Sequence, residues 1–376
     1  MRSKRTLGLV SIVLAAVVSV AAFADGIGAD RGGKRGNEGA EAFPSITINK
    51  FIVMPMASSH SDWVQAIKAA RKSIHMEMFH ITEKEVMNAL IARAHDNIDL
   101  RVIVDHQATG GYKAALDSLT SAGVQVRTAS AAFSITHSKA MVVDNQEAWI
   151  TSINMTNTGT GSRDFGITTP DTGIINEMDS VFEADWKNAE NNGDVTPPVS
   201  NPNLAWAPVN AVQQLTKLIN AANQSLDVEV ENLGLDDVIN ALNAAVVRGV
   251  AVRLIMPECT GNNANNYAAM AKTKGVQLHV EHDGKSLDQP YLHAKMIVAD
   301  GKINYIGSIN YSYNSMIKSR ELGVIFTDSG IGGKLSDEFK IDWSRSTAIQ
   351  PGDQPNCGKT NGGDGSAFIT PVPFAI

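Results

Sequence analysis

The chain reads as an α/β protein of two tandem repeats, each a mixed sheet flanked by helices, the two related by a pseudo-two-fold axis. Three observations predict this. Short strand-like runs alternate with amphipathic helical ones. The order of these runs recurs in the second half of the chain. One polar constellation built on His-x-Lys occurs once in each half, with matching spacing.

Taken in order, residues 1–24 have the pattern of a cleaved secretory signal peptide. Arg2, Lys4 and Arg5 precede an apolar stretch from Leu7, and Ala22-Phe23-Ala24 fits a cleavage site. The apolar core is short for a membrane span, and no later stretch approaches one. Residues 25–44, rich in Gly and charge, are expected to be a flexible segment. The first repeat is expected over 45–192. ITINKFIVMP reads as a strand, and SDWVQAIKAARKSI carries Trp63, Ile67 and Ala70 at helical spacing. HMEMFHI alternates as a strand, EKEVMNALIARAHD is helical, and DLRVIVD is a buried type of strand. Residues 193–204 carry the Pro, Asn and Gly of a linker. The second repeat, 205–350, runs through the same order with NAVQQLTKLINAANQSL, DVEVENL, LDDVINALNAAVVRG and VAVRLIMPE. The tail, 351–376, has no helix or strand periodicity.

An apolar fraction of 43% is that of a globular protein with a substantial core. The formal charge is −7, and loss of the leader would make it more negative. A protein of this charge lacks the broad basic surface that nonspecific nucleic-acid binding requires. Cys259 and Cys357 would tie the tail to the second repeat if they pair, and spacing alone leaves that open.

The constellation is THSKAMVVDNQEAWITSINMTNTGTGSRDFGI in the first half and LHAKMIVADGKINYIGSINYSYNSMIKSRELGV in the second. His137, Lys139, Asp144, Ser152, Asn154 and Asp164 stand in the order of His293, Lys295, Asp300, Ser308, Asn310 and Glu321. In a strand, residues two apart share a face, so each His and its Lys point the same way. Asp144-Asn145 and Asp300-Gly301 are dipeptides of the type I′ hairpin turn. The odd offset from His to Asp therefore makes Asp144 and Asp300 turn residues, not partners of the imidazoles. Asp164 and Glu321 are better placed to accept from a His ring. Such a carboxylate fixes the tautomer and is expected to raise the His pKa. Ser152, Asn154, Ser308 and Asn310, on the returning strands, are candidate phosphate-binding groups. Two His, two Lys and two Asn supply a nucleophile, a proton donor and positive groups for phosphodiester cleavage.

These residues resemble the paired HKD motifs of the phospholipase D superfamily, which includes phospholipases D, cardiolipin synthases, phosphatidylserine synthases and metal-independent nucleases. The resemblance runs from about Ser45 to Ser346. It implies two phospholipase D-like repeats with one site at their interface, a phosphohistidine intermediate, and neither metal nor other cofactor. It also implies His137 as nucleophile and His293 as general acid, although a symmetric site is reversible on sequence alone. The expected reaction is hydrolysis of a phospholipid at a membrane surface to phosphatidic acid and a head-group alcohol. A nuclease using nucleic acid, and a phosphatidyltransferase, are the alternatives. The expected protein is a secreted or periplasmic monomer.

Other groups are weighed beside these. His279 and His282 form H-x-x-H without further ligands at a zinc spacing, and read as ordinary strand or surface histidines. His75 and His80 read as structural. Tyr311 and Tyr313, with Met316, either border the substrate entrance or pack within their loop. Glu77, Glu229 and Glu231 either orient the lysines or form the solvated face of an edge strand.

Overall fold

The computed structural model describes residues 43–55, 59–107, 110–156, 161–282 and 289–357. The expected leader, nearly all of segment 25–44 and the tail beyond Cys357 lie outside the described residues.

The first sheet contains β1 (Lys50–Met54), β2 (Ser73–Met78), β3 (Asp99–Val104), β4 (Gln125–Thr128), β5 (Lys139–Val143), β6 (Glu147–Thr151) and β7 (Ser162–Thr169). Their spatial order is β1-β7-β6-β5-β2-β3-β4. Helices α1 (Ser59–Ala69), α2 (Lys84–Arg93), α3 (Gly111–Ser121) and α4 (Thr172–Asn191) accompany it. The second half repeats the scheme with β8 (Leu204–Ala207), β9 (Ser225–Val230), β10 (Ala251–Pro257), β11 (Gln277–Glu281), β12 (Tyr291–Leu292), β13 (Lys295–Ala299), β14 (Ile303–Gly307), β15 (Glu321–Thr327) and β16 (Thr347–Ile349). Its sheet order is β16-β11-β10-β9-β13-β14-β15-β8, with α5 (Ala211–Ala221), α6 (Asp236–Val247), α7 (Asn263–Met270) and α8 (Ser329–Arg345). Parallel pairs β2–β3 and β9–β10 lie beside antiparallel hairpins β5–β6 and β13–β14, so both sheets are mixed, as the alternating pattern predicts.

One core joins the halves. Val142, Ile150 and Ile167 of the first sheet share it with Met296, Ile306 and Phe326 of the second, and Ile175 of α4 and Phe339 of α8 close its sides. Two further cores lie under α1 and α2 and under α5 and α6. Apolar burial thus runs continuously across the sheet-to-sheet contact.

The turns after β5 and β13 have positive φ at both central residues: 56° and 55° at Asp144 and Asn145, 53° and 67° at Asp300 and Gly301. The Asp144 carboxylate accepts from the amides of Arg71, Lys72 and Ser73 at 2.9, 2.6 and 3.0 Å. Asp300 does the same for Asn223, Gln224 and Ser225 at 3.0, 2.7 and 3.0 Å. Each turn is thereby fastened to the start of the neighbouring antiparallel strand, β2 or β9.

The halves also exchange backbone. β12 pairs with β7 of the first sheet, placing Leu292 opposite Arg163. Thr136 bridges Arg320 in the reciprocal direction. The two arginines then cross to the opposite half's long helix. Arg320 meets Asp185 of α4 through Nε at 2.9 Å and Nη2 at 3.1 Å, and Arg163 meets Asp342 of α8 at 2.7 and 2.9 Å. All four groups are buried. Charges this far from water are tolerated only when paired.

Glu229 does not lie on a solvated edge. β9 runs between β10 and β13, and Glu229 is fully buried beside Asp342 and Arg163. Glu77 is its counterpart near Asp185 and Arg320. Glu281 joins the cluster, and burial with the nearby Asp342 pushes its carboxyl up to about 8. Cys259 and Cys357 are disulfide-bonded, with Cα atoms 5.7 Å apart, so the start of the tail is tied to the second half. Among the described residues no helix is long and apolar enough to cross a membrane.

Two outcomes are expected. Arg320→Ala strands Asp185 in the interior and should cost about 3–5 kcal/mol in urea unfolding; a loss under 1 kcal/mol would remove the clamp from the account. The raised Glu281 makes the folded chain hold a proton that the unfolded chain releases near its ordinary value of 4.5. Stability from this group is therefore full below that value and is lost as pH rises through about 8. Glu281→Gln should shrink the stability difference between pH 5 and pH 8, read from denaturation midpoints. An unchanged difference would contradict the assignment.

Candidate active site

His137 and His293 are each separated by one residue from β5 and β13, and Lys139 and Lys295 open those strands. Both lysines are 1% exposed. Lys139 Nζ donates to the His137 carbonyl at 2.7 Å, and Lys295 Nζ donates to that of His293. The strand exchange sets each histidine's backbone. His137 N donates to Arg320 O at 2.8 Å, and His293 N donates to Arg163 O at 3.1 Å. The residue following each arginine is a carboxylate, so each ring meets the acid of the opposite half. His137 Nδ1 lies 2.9 Å from Glu321 Oε2, and His293 Nδ1 lies 2.8 Å from Asp164 Oδ1. The ring centroids are 6.4 Å apart. With Nδ1–H donated to the carboxylate, Nε2 is the nitrogen left for chemistry.

The supporting polar groups differ from their sequence expectation. Ser152 and Ser308 are buried, and their hydroxyls engage protein groups. Ser152 Oγ donates to Asp164 at 2.6 Å, joined by Ser162 Oγ at 2.6 Å, and Ser308 Oγ donates to Leu322 O at 3.3 Å. Ser315 Oγ serves Glu321. Asn310 Oδ1 accepts from Asn232 N at 3.1 Å, and its Nδ2 donates to Glu231 at 3.3 Å. Asn154 is half-buried, and its Oδ1 has no hydrogen-bond partner among the described residues. Tyr311 and Met316 are fully buried, which places them in the core and away from any entrance, while Tyr313 is 55% exposed.

The electrostatics also correct an expectation. Burial, followed by Lys139 and Lys295, pushes His137 well below its ordinary 6.5, where a carboxylate partner alone would raise it. Burial pushes Glu321 itself up to about 7, so it offers the ring a weaker anion. Asp164 behaves differently. Burial opposes its ionisation, but His293, Lys295 and Ser152 prevail and hold it below the usual carboxylate range.

The halves diverge most just past the strands beside the lysines. Register places Met78 opposite Lys139 and Val230 opposite Lys295, so Phe79 and Glu231 are equivalent positions. Phe79 meets His137 edge-on at 4.7 Å, and Lys139 Nζ sits 4.9 Å from its ring centre. His80, read from sequence as structural, stacks between Phe79 and Tyr112 at 3.7 Å each on this side of the site. Burial, Lys139 and His137 push it down to about 3. Glu231 instead binds Lys295 Nζ at 3.0 Å and Tyr291 OH at 2.9 Å, and lies 3.8 Å from His293 Nε2. Burial opposes ionisation of Glu231, but Lys295 and His293 hold it well below the usual range.

The remaining histidines stand elsewhere. His75 lies between Asp179 and Asp99 at 2.5 and 3.0 Å. His279 stacks on Trp343, and His282 engages Glu258 and Thr347. Sequence reasoning gave no role to Arg163 and Arg320, although both were visible in the repeated Ser-Arg-acid run. Phe79 carried no signal before the strand register was known.

Two imidazoles, each backed by a carboxylate at Nδ1 and flanked by the Lys139 and Lys295 side chains, suit an anionic tetrahedral centre. The ring centroids stand 6.4 Å apart, so the two imidazoles face a common space between the halves.

Comparison with known proteins agrees with this architecture. The family model described as cardiolipin synthase, PLD-like domain matches residues 63–186 and 215–343. Among curated proteins, a cardiolipin synthase of Clostridium perfringens is 23% identical, the match covering 78% of this chain and 70% of that protein. Among solved structures, phosphatidylserine synthase of Haemophilus influenzae superposes with a TM-score of 0.63 at 12% identity, over 82% of this chain and 89% of the other. Polyphosphate kinase of Porphyromonas gingivalis superposes with a TM-score of 0.62 at 15% identity, over 80% of this chain and 48% of that one. At these identities the structural likeness speaks for the fold.

Nitrogen-15 spectra of the imidazoles at pH 7 should show His137 neutral with the proton on Nδ1. A proton on Nε2 at that pH would contradict the Glu321 contact.

Proposed function

Because the chain belongs to the family described as cardiolipin synthase, PLD-like domain, we propose that it transfers the phosphatidyl group of a phospholipid from one alcohol to another. The observation that carries this reading is the histidine pair held across the two halves, with rings 6.4 Å apart. His137 Nε2 attacks phosphorus while the phosphorus–oxygen bond to the head-group alcohol breaks. His293 gives its Nε2 proton to the departing oxygen. The phosphatidyl group then rests on His137, and Lys139 and Lys295 donate hydrogen bonds to its non-bridging oxygens. An entering alcohol gives its proton to His293 and attacks phosphorus, breaking the phosphorus–nitrogen bond. Asp164 and Glu321 keep the two rings in the tautomers this sequence requires.

Hydrolysis, the outcome first expected from sequence, differs only in that water enters at the second step. The cardiolipin synthase relatives support an alcohol. The acidic chain weighs against nucleic acid, with its formal charge of −7. The leader pattern and the Cys259–Cys357 bond support action outside the cytoplasm.

Vesicles of phosphatidylglycerol should yield free glycerol and a two-phosphate lipid. Phosphatidylcholine with ethanol should yield phosphatidylethanol. His137→Ala and His293→Ala should each lower both rates at least about 10²-fold with circular dichroism unchanged. Lipid inertness together with chelator-resistant nicking of plasmid DNA would transfer the assignment to a nuclease.

A further inference from the structure

His80 takes no part in the proton transfers of His137 and His293, yet its ring stands in line with them. Strand β2 ends at Met78, opposite Lys139, and Phe79 and His80 follow. The Phe79 ring meets His137 edge-on, with centroids 4.7 Å apart and planes at 68°. His80 packs on Phe79 at 3.7 Å and 31°, and on Tyr112 at 3.7 Å and 18°. Tyr112 lies in the first turn of α3. Four rings thus form a file from a helix to the catalytic imidazole, and Lys139 Nζ sits 4.9 Å from the centre of the third.

The rings ahead of His137 are uncharged at neutral pH. Burial, then Lys139 and His137, push His80 down to about 3, and burial pushes the Tyr112 phenol up. A neutral imidazole stacked between two rings acts as an aromatic plate.

The second repeat closes the same joint differently. Register makes Asn232 the counterpart of His80. From the equivalent helix α7, Asn266 Nδ2 donates to Asn232 Oδ1 at 3.3 Å and to Glu231 O at 3.1 Å, and Asn266 Oδ1 accepts from Leu233 N at 3.1 Å. Amides serve the frame in one half and rings in the other, so the fold itself does not require a stack at this joint.

We propose that His80 and Tyr112 are positioning residues for His137: stacked on Phe79, they hold that ring edge-on to the imidazole and keep water from His137 and Lys139. The inference rests on the phosphatidyl-transfer reading only in needing His137 as a working imidazole. No bond forms or breaks at His80, and its ring is used without its proton.

The test uses the full chain with vesicles of phosphatidylglycerol, and the imidazole titration of His137 followed by nuclear magnetic resonance. His80→Ala should lower kcat at least about tenfold with KM little changed, since a displaced reacting group loses rate more than binding. The groups that face His137, namely Lys139, Lys295, His293, Glu231 and Glu321, stay in place. Burial is the main cause of its depressed pKa, so admitting water should raise the titration of His137 toward 6.5. His80→Phe keeps a ring of similar volume and should remain within about threefold of wild type, with His137 titrating as in wild type. Tyr112→Leu, at the outer end of the file, should move kcat and the His137 titration in the same directions as His80→Ala, and it serves as the test if His80→Ala does not fold. Wild-type kcat in His80→Ala, or a fall in kcat without the titration shift, overturns the inference and leaves the transferase reading standing. Impairment of His80→Phe equal to that of His80→Ala also overturns it, because the imidazole and not the stack would then be needed. A wild type inert toward lipid overturns the transferase reading, while the His137 titration still decides the inference.

Discussion

Each imidazole of this protein is held by a carboxylate that belongs to the other half of the chain. His137 depends on Glu321 and His293 on Asp164, so neither repeat contains a working histidine by itself. The backbone exchange that seats the histidines and the arginine clamps that follow are consequences of this one requirement. In each Ser-Arg-acid run the arginine reaches the opposite half's long helix and the acid reaches the opposite half's imidazole. Two successive residues thus supply a backbone contact, a clamp and a carboxylate for the ring. The shared apolar core brings the sheets together, but hydrophobic contact is non-directional. It cannot hold two rings at a set separation. Directional, buried contacts at the seam do that, and charged groups in that setting are severe about geometry.

A symmetric frame does not oblige the site to be symmetric. Burial and the lysines keep His137 neutral, and its acid partner sits near 7. Asp164 is held ionised, and Glu231 adds a second anion on the His293 side. A neutral imidazole makes the better nucleophile, which suits His137. The two reactions expected of the pair therefore have different electrostatic homes within one duplicated scaffold.

The fold class was legible because strand and helix periodicity survives in both repeats. His137, Lys139, His293 and Lys295 were legible because duplication supplies an internal control on spacing. The partner of each imidazole was not. It is decided by β12 pairing with β7 and by the bridge from Thr136 to Arg320, contacts between residues far apart in sequence that leave no local pattern. The hydroxyl partners of Ser152 and Ser308 were hidden for a related reason. Alternation puts them near the histidines but does not say whether a hydroxyl turns to the cleft or to a carboxylate behind it. Tyr311 was ambiguous because its loop turns inward. A bridge to Leu233 draws it under the sheet, and its ring ends fully buried.

The aspartate of each motif has a physical place in the site although it lies at the far end of the strand from it. Asp144 fastens the turn after β5 to Arg71, Lys72 and Ser73, where β2 begins. That contact sets the register of β2 against β5, with Ile74 opposite Val143 and Met78 opposite Lys139. A slip of one residue would turn every side chain to the other face, and Phe79 would no longer stand beside His137. Asp300 fixes β9 against β13 in the same way, from Leu226 opposite Ala299 to Val230 opposite Lys295. The residue delivered next to the lysine is then Glu231. One turn residue thus selects, a full strand length away, whether an aromatic ring or a carboxylate meets the imidazole. The two halves keep identical devices for register and use them to present different chemistry.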